Sequence, residues 1–364
     1  MVSPVTSLSV EDPFELAAAL VDVPSESFSE GRLVDLLEVE LRSLPHLDVT
    51  RIGENLVART AFGRDQRLIL AGHTDTVGAN GNASARVDGN VLWGLGSADM
   101  KSGLAVMLTS ARRHRDPAVD VTYVFYAREE VASEHNGLGE LVAVRPDLLV
   151  GDLALLGEPT DGAIEAGCQG SVRARVTLGG ARAHTARAWM GRNAIHRLGG
   201  LLSALAAYEP RQPIIQGCRF HEALQAVAVS GGVSGNVVPD RAELLVVHRF
   251  APDRTSDEAE AHLRGVLAPF LETGIDSVEI VDIATAAHPS LDQPLLAGLI
   301  ARHGLEVRSK LGWTDVARFA SAGVPAANLG PGDPTLAHTA GERVTRDSVE
   351  RVWAVIDSVV SLGF

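Results

Sequence analysis

Four short apolar runs, each followed closely by ionisable side chains, limit most strongly what this chain of 364 residues can fold into. Runs of this length and character are typical of strands buried on both faces, as in a parallel sheet that helices cover. They alternate with helical patterns, including 11–21, 30–43 and Met100–Arg113. The four runs are Arg67–Ala71, Val121–Ala127, Leu153–Leu156 and Val324–Leu329.

The segment from 172 to 285 has a different pattern. Its elements follow the order β-α-β-β-α-β, which predicts an antiparallel sheet with helices on one face. We therefore expect an inserted, ferredoxin-like α+β domain at 172–285, between two parts of an α/β domain at 1–171 and 286–364. The predicted elements are Ser171–Leu178, Asn193–Tyr208, Gln225–Val229, Arg241–Arg249, Ser256–Leu271 and Asp276–Asp282.

Composition excludes several classes of protein. A net charge of −14 disfavours binding to nucleic-acid phosphates. No apolar run approaches the ~20 residues of a membrane helix, so we expect no membrane partner. Cys168 and Cys218 form no motif, which excludes a disulfide scaffold and indicates reduced thiols. The first residues carry acids where a signal peptide would be apolar, and we expect a cytoplasmic protein.

Ionisable residues lie where the predicted strands end. Ligands of open α/β sheets bind at the carboxyl ends of strands, so these groups are expected to converge there. A further acid, Asp99, stands just before a predicted helix. Singly, each has an ordinary alternative: Asp99 as a helix N-cap, or Glu129–Glu130 as a solvated loop end. The strand-end residues are His73, Asp75, Glu129, Glu130, Glu158 and His338.

Two imidazoles and several carboxylates, without thiolate, favour zinc, with cobalt or manganese as substitutes. Two metal ions explain the number of ligands better than one, because a bridging carboxylate and two terminal ligands for each ion make five side chains. Asp75 and Glu129 remain for other roles. Asp75 could accept the second imidazole N–H of His73, and Glu129 could take a proton from water. The five ligand candidates are His73, Asp99, Glu130, Glu158 and His338.

The stretches GHTDTV, GLGSADMKSGLA, AREE, GEPT and LAHT resemble the co-catalytic zinc amidohydrolase and metallopeptidase family, which includes aminoacylase, carboxypeptidase G and acetylornithine deacetylase. The likeness runs from about residue 65 to 340, with order and spacing intact. Within that family the chain is most similar to the succinyl-diaminopimelate desuccinylases, through ARAHTA, GNVVPD, His248–Arg249 and Trp313–Asp315. A zinc-peptidase-like catalytic domain with an inserted dimerisation domain is the fold that the resemblance implies.

The resemblance also implies roles for single residues. Asp99 would bridge two zinc ions; His73 and Glu158 would complete one site, and Glu130 and His338 the other. Asp75 would orient His73, and Glu129 would act as general base and then as acid. His184, in ARAHTA, would reach the active site of the partner in a homodimer and stabilise the oxyanion.

The expected activity is hydrolysis of a small N-acyl amino-acid amide. The best-supported substrate is N-succinyl-L,L-diaminopimelate, an intermediate in the biosynthesis of lysine and the bacterial cell wall. Asn236 (acting from the partner subunit), Arg249 and Thr314 match family positions that contact substrate. Gln169 stands where a basic residue is common in the desuccinylases, and Arg187, Arg182 or Lys310 can supply that charge. The alternatives are an acetylornithine deacetylase-like enzyme, another aminoacylase or carboxypeptidase, and an inert binding or scaffold relative.

Overall fold

The computed structural model describes residues 7–364, and the chain divides into two compact units. The first unit comprises the chain up to Ala166, Pro289–Arg308 and Asp315–Phe364; the second comprises Gly167–His288 and Ser309–Thr314. The sequence pattern placed residues 309–314 in the catalytic domain. They belong to the second unit because Ser309 donates a hydrogen bond to the Arg219 carbonyl, and the Trp313 indole donates one to the Thr285 carbonyl.

The first unit alternates helices with strands, as the apolar runs predict. Its helices are α1 Pro13–Val21, α2 Gly31–Arg42, α3 Lys101–Arg113, α4 Gly137–Val144, α7 Pro294–His303, α8 Val316–Ser321 and α9 Arg346–Leu362. Its strands are β1 Asp48–Ile52, β2 Asn55–Arg59, β3 Arg67–His73, β4 Arg86–Asp88, β5 Val91–Trp93, β6 Asp120–Tyr126, β7 Leu153–Leu156, β8 Ile164–Ala166, β15 Val307–Ser309 (except its last residue), β16 Ala326–Asn328 and β17 Arg343–Thr345.

Eight of these strands form the central sheet, in the order β1-β2-β6-β3-β7-β16-β8-β15. The adjacent strands β6, β3, β7 and β16 are parallel, whereas β1 and β2 pair antiparallel with their neighbours and β8 pairs antiparallel with β16. Every residue of β6 and β7 is buried, which fits the apolar sequence of β7 and the mainly apolar sequence of β6. The prediction of an α/β unit with a parallel centre is confirmed. Because the four central strands run the same way, their carboxyl ends share one edge.

Glycines allow the backbone to approach closely at that edge. A Cβ atom on Gly103 of α3 would lie 2.3 Å from the carbonyl oxygen of Gly157, which follows β7. A Cβ on Gly330, after β16, would lie 2.2 Å from the same oxygen. No residue other than glycine fits at these contacts without a backbone shift. The N-terminus of α3 and the loops after β7 and β16 are thereby packed together.

The second unit contains an antiparallel sheet with two helices on one face. Its strand order is β12-β13-β9-β14, and Val172, Leu198, Leu244 and Leu263 are among the core residues under the helices. The predicted β-α-β-β-α-β order is confirmed, with one small hairpin added before the second strand. The elements are β9 Gly170–Gly179, α5 Ala194–Ala206, β10 Ile214–Ile215, β11 Cys218–Arg219, β12 Ala223–Gly231, β13 Arg241–Phe250, α6 Ser256–Leu267 and β14 Ser277–Ala284.

Among the described helices, none combines the length and the apolar character that crossing a bilayer requires.

Replacing Gly103 with alanine tests the close backbone packing at the sheet edge. We expect Gly103→Ala to lower the free energy of unfolding by about 1–3 kcal/mol, because its Cβ would overlap the Gly157 carbonyl. The matched control is Gly298→Ala in α7, where no described atom outside the helix backbone lies within 4 Å of the new Cβ. Chemical denaturation followed by circular dichroism compares the two. Equal stability of both variants would contradict this account of the packing.

Candidate metal centre

The carboxyl ends of the parallel strands bring the predicted ligands together within the first unit. His73 is the last residue of β3, Glu158 follows β7, and Glu129 and Glu130 follow β6. His338 comes later in the loop after β16, and its backbone φ of +61° lies in the left-handed region, which bulky residues rarely adopt. The sheet edge predicted from the sequence is therefore where these side chains lie.

Asp99 lies between the two imidazoles. Its Oδ1 is 3.0 Å from Nε2 of His73, and its Oδ2 is 3.6 Å from Nε2 of His338. The other carboxylate near His338 is Glu130, whose Oε1 is 2.7 Å from the same Nε2. Each oxygen of Asp99 thus faces a different histidine, which is the arrangement that a bridging carboxylate requires.

Two groups of potential ligand atoms share Asp99. His73, Asp99 and Glu158 form one group, and Asp99, Glu130 and His338 form the other; within each, the ligand atoms lie within 4.8 Å of one another. A third group consists of His73, Glu129 and Glu130, whose potential ligand atoms also lie within 4.8 Å of one another. Imidazole nitrogens and carboxylate oxygens at this spacing fit one or two divalent cations of the zinc type.

The carboxylate of Asp75 fixes the loop that carries Glu129 and Glu130. It accepts hydrogen bonds from the backbone N–H of Glu129 at 3.0 Å, of Glu130 at 3.1 Å, and from the Ser27 hydroxyl at 2.8 Å. Burial opposes the charge on Asp75, but the hydrogen bond and charge of His73 prevail and lower its pKa to about 2. Asp75 is therefore an anion that holds the backbone of Glu129 and Glu130 in place.

The orientation of His73 comes from the backbone of Asp75 as well as from its side chain. Nδ1 of His73 lies 3.0 Å from the Asp75 carbonyl oxygen and 3.5 Å from Asp75 Oδ1. A carbonyl only accepts, so Nδ1 carries the proton in this contact and Nε2 faces Asp99. The sequence predicted that the Asp75 side chain orients His73, whereas the shorter contact of Nδ1 is to the Asp75 backbone carbonyl.

Negative charges surround Glu129. Burial raises the pKa of Glu129 well above its usual range, and Glu158, Asp315 and Glu130 raise it further, against the opposing charge of His73. Asp315 is itself buried and accepts hydrogen bonds from Asn136 and Arg318. A carboxylate with a raised pKa is suited to take up a proton and to give it back.

Glu342 is a residue that the sequence pattern did not single out. Its Oε1 accepts the backbone N–H groups of Ala98 at 3.0 Å and Asp99 at 3.1 Å, and the residue is almost completely buried. Glu342 lies four residues after His338, but this spacing in the sequence does not show whether its side chain is buried or exposed to solvent. Glu342 fixes the turn that presents Asp99, so it belongs to the support of the centre.

The second unit brings His184 and Asn236 together. The backbone N–H of Thr185 donates to the Asn236 carbonyl at 3.0 Å, and His184 forms a bridge with Val237. Nδ1 of the exposed His184 accepts from the N–H of Ala186 at 3.1 Å, which leaves the proton of a neutral ring on Nε2. His184 can therefore donate a hydrogen bond to an oxyanion.

The other predicted substrate contacts also lie in the second unit. Arg249 is half-buried on β13, and burial, with the charge of Arg173, lowers its pKa. Thr314 is buried, and its hydroxyl has no hydrogen-bond partner among residues 7–364. Arg187 is exposed in the turn after His184. Their roles remain predictions.

Comparison with known proteins gives one family and several relatives. The family described as peptidase family M20/M25/M40 matches residues 69–361. The protein named putative succinyl-diaminopimelate desuccinylase DapE from Mycobacterium tuberculosis (strain ATCC 25618 / H37Rv) is 47% identical over 348 residues, covering 95% of this chain and 96% of its own. The succinyl-diaminopimelate desuccinylase of Corynebacterium glutamicum is 42% identical and covers 96% of each chain.

Solved structures show the same fold at low identity. The aminopeptidase PepT of Bacillus cereus superposes with a TM-score of 0.78 at 19% identity, over 96% of this chain and 97% of its own. The M20 family metallo-carboxypeptidase Sso-CP2 of Sulfolobus solfataricus gives 0.75 at 14% identity, over 96% and 98%. The chain therefore shares the fold of these two proteins over nearly its whole length.

Removing the Glu342 carboxylate tests its support of Asp99. We expect Glu342→Ala to weaken zinc binding about 10–100-fold, because two buried N–H groups lose their acceptor and the Asp99 turn relaxes. Glu342→Gln keeps an oxygen acceptor and is expected to bind zinc nearly as the unmodified protein does. Competitive titration with a chromophoric chelator measures both. Unchanged affinity in Glu342→Ala would refute the support role.

Proposed function

Because the chain belongs to peptidase family M20/M25/M40, we propose that it hydrolyses N-succinyl-L,L-diaminopimelate to succinate and L,L-diaminopimelate. The observation that carries this proposal is the identity of 42–47%, over nearly the full chain, to proteins named succinyl-diaminopimelate desuccinylase. The chain is an enzyme of the hydrolase class that acts on amide bonds of a small-molecule substrate. Neither Cys168 nor Cys218 is part of a disulfide bond, which supports a cytoplasmic location.

Membership in a metallopeptidase family implies a divalent cation, and we propose two zinc ions, for which cobalt or manganese could substitute. His73 and Glu158 would hold one ion, Glu130 and His338 the other, and Asp99 both. The donor set supports this, since each Asp99 oxygen faces a different imidazole. When bound, such a pair of cations polarises an amide carbonyl and lowers the pKa of water.

Glu129 moves the proton in the proposed reaction. It takes a proton from the attacking water as the C–O bond forms, and gives that proton to the amine nitrogen as the C–N bond breaks. The raised pKa of Glu129 suits both steps. A carboxyl group with a low pKa would lose the proton to solvent before it could be passed to the amine. Asp75 holds the Glu129 backbone and the His73 ring in position.

His184 would stabilise the oxyanion with its Nε2–H, and we propose that it does so from the partner subunit of a homodimer, together with Asn236. Support comes from β12, an edge strand with β13 as its neighbour in the sheet. Val227 and Val229 on this edge are 55% and 62% exposed. An exposed apolar edge is a template for pairing with another strand.

Substrate would be positioned by Asn236, Arg249, Thr314 and Arg187. A substrate carboxylate needs cationic or hydroxyl partners. The arginines supply the first, and the Thr314 hydroxyl, which has no hydrogen-bond partner within residues 7–364, supplies the second. The buried hydroxyl is costly without a partner, which supports a polar ligand there.

Turnover of defined substrates tests the proposed function. Zinc-loaded protein is expected to release succinate from N-succinyl-L,L-diaminopimelate and to lose this activity with a chelator. N-acetylornithine, tested beside it, is expected to react much more slowly. Turnover of acetylornithine alone would replace the substrate but keep the chemistry. No turnover of either compound, with zinc bound, would refute the proposal.

Mixed dimers test whether His184 acts in the active site of the partner subunit. Glu129→Gln and His184→Ala are each expected to keep their zinc but to lose about 10²–10⁴-fold in kcat. If His184 acts in trans, unfolding and refolding the two variants together restores about a quarter of the activity, since half of random dimers carry one native site. Either variant refolded alone is the control. No recovery in the mixture would place His184 in its own subunit's site.

A further inference from the structure

The second unit's sheet has one face that α5 and α6 leave uncovered, and we call it the open face. Arg173 on β9 and Arg249 on β13 both lie on it. They line a cavity of about 470 Å³, together with Gln225 on β12 and apolar side chains of β12 and β13. Two cations at one cavity suggest an anionic ligand, provided that no carboxylate of the chain already neutralises them.

The strand register places the two arginines next to each other. Arg173 pairs with Val247, and Arg249 pairs with Ser171, so the arginines are diagonal neighbours across adjacent strands. Such neighbours are about 7–8 Å apart, within reach of one another's long side chains. Repulsion between two guanidinium groups opposes this placement unless an anion lies between them.

Neither arginine is neutralised by an ion pair within the described chain. No carboxylate oxygen of residues 7–364 lies within 4.0 Å of either guanidinium. Asp282, opposite Arg173 on β14, is the acid that acts on Arg249 from a longer distance. Arg175, two positions along the same strand, is different, because it forms an ion pair with Glu279 at 2.8 Å. Within the described part of the chain, Arg173 and Arg249 thus form a pair of open-face cations that has no close counter-ion.

Gln169 and Arg182, two of the residues considered for a substrate carboxylate, already have partners within the chain. The side-chain amide of Gln169 donates to the His221 carbonyl at 2.8 Å and accepts from the His221 N–H at 3.1 Å, so both its polar atoms are used. Arg182 forms an ion pair with Asp240 at 2.8 Å. The side chains of Gln169 and Arg182 are therefore engaged within the chain and do not supply the missing charge.

We propose that Arg173 acts with Arg249 to bind the free carboxylate of the acyl group, and that this pair sets the preference for a dicarboxylic acyl group over acetyl. This inference rests on the proposed function. Two planar guanidinium groups can both donate to one carboxylate, and an acetyl group offers them nothing. Arg173 is then a specificity-determining residue that no family motif in the sequence singles out.

Kinetics of matched variants test the inference. Arg173→Gln is expected to raise KM for the succinyl substrate about tenfold or more, with kcat changed much less. Its kcat/KM for an N-acetyl substrate is expected to stay the same. Arg173→Lys keeps the charge and should recover part of the loss. Arg175→Gln is the control, because its guanidinium is already paired, and it should leave both substrates unaffected.

The ratio of succinyl to acetyl kcat/KM distinguishes the outcomes. An unchanged ratio in Arg173→Gln, or an equal fall in Arg175→Gln, would overturn the inference. Zinc content and circular dichroism of each variant exclude loss by unfolding.

Calorimetric titration separates this inference from the proposed function. Succinate is expected to bind the zinc-loaded protein more tightly than acetate does, and Arg173→Gln should remove that difference. If the unmodified protein hydrolyses neither substrate but the titration still depends on Arg173, the function fails and the carboxylate site stands. If the succinyl substrate turns over and Arg173→Gln changes neither kinetics nor titration, the function stands and the inference fails.

Discussion

The close backbone contact between Gly103 and Gly157 is the constraint on which the metal centre depends. It packs the N-terminal turns of α3 against the end of β7, and Gly330 adds the loop after β16 to the same point. Asp99 lies two residues before the start of α3, and Glu158 immediately follows Gly157. If a methyl group on Gly103 pushed the helix away from Gly157, Asp99 and Glu158, two ligands of the same predicted site, would therefore move apart. The remaining ligands depend on strand register, because β3 and β6 are parallel neighbours along their whole length.

Gathering so many carboxylates at one edge is electrostatically unfavourable, and the structure offsets the cost with hydrogen bonds from the backbone. Asp75 and Glu342 each accept two backbone N–H groups, from the turns that carry Glu129, Glu130 and Asp99. These two acids are not ligands in the proposed scheme, yet they determine where the ligands lie. Bound cations would stabilise the folded state further by mass action, since the unfolded chain has no such cluster.

The second unit uses its sheet differently. The core under α5 and α6 is apolar, whereas the open face carries charged residues, and only some of them are paired. In a purely structural sheet an exposed arginine needs no partner, but Arg249 is half-buried and lies beside a second arginine. Burial makes that charge expensive, which is why ligand binding explains it better than chance exposure does. The chemistry common to the family and the choice of acyl group would then depend on different units.

The sequence by itself determined the α/β class, the β-α-β-β-α-β insertion and the acids and imidazoles at the strand ends, because hydrophobic periodicity and strand polarity are local properties. It placed Asp99 and His338 among the ligands mainly through spacing and resemblance. Only the tertiary structure decided that Glu342 supports Asp99, that Gln169 is held by His221, and that Arg173 lies beside Arg249. Each of these depends on a partner distant in sequence, or on burial and strand register, and a linear pattern of residue types does not encode which groups are buried together.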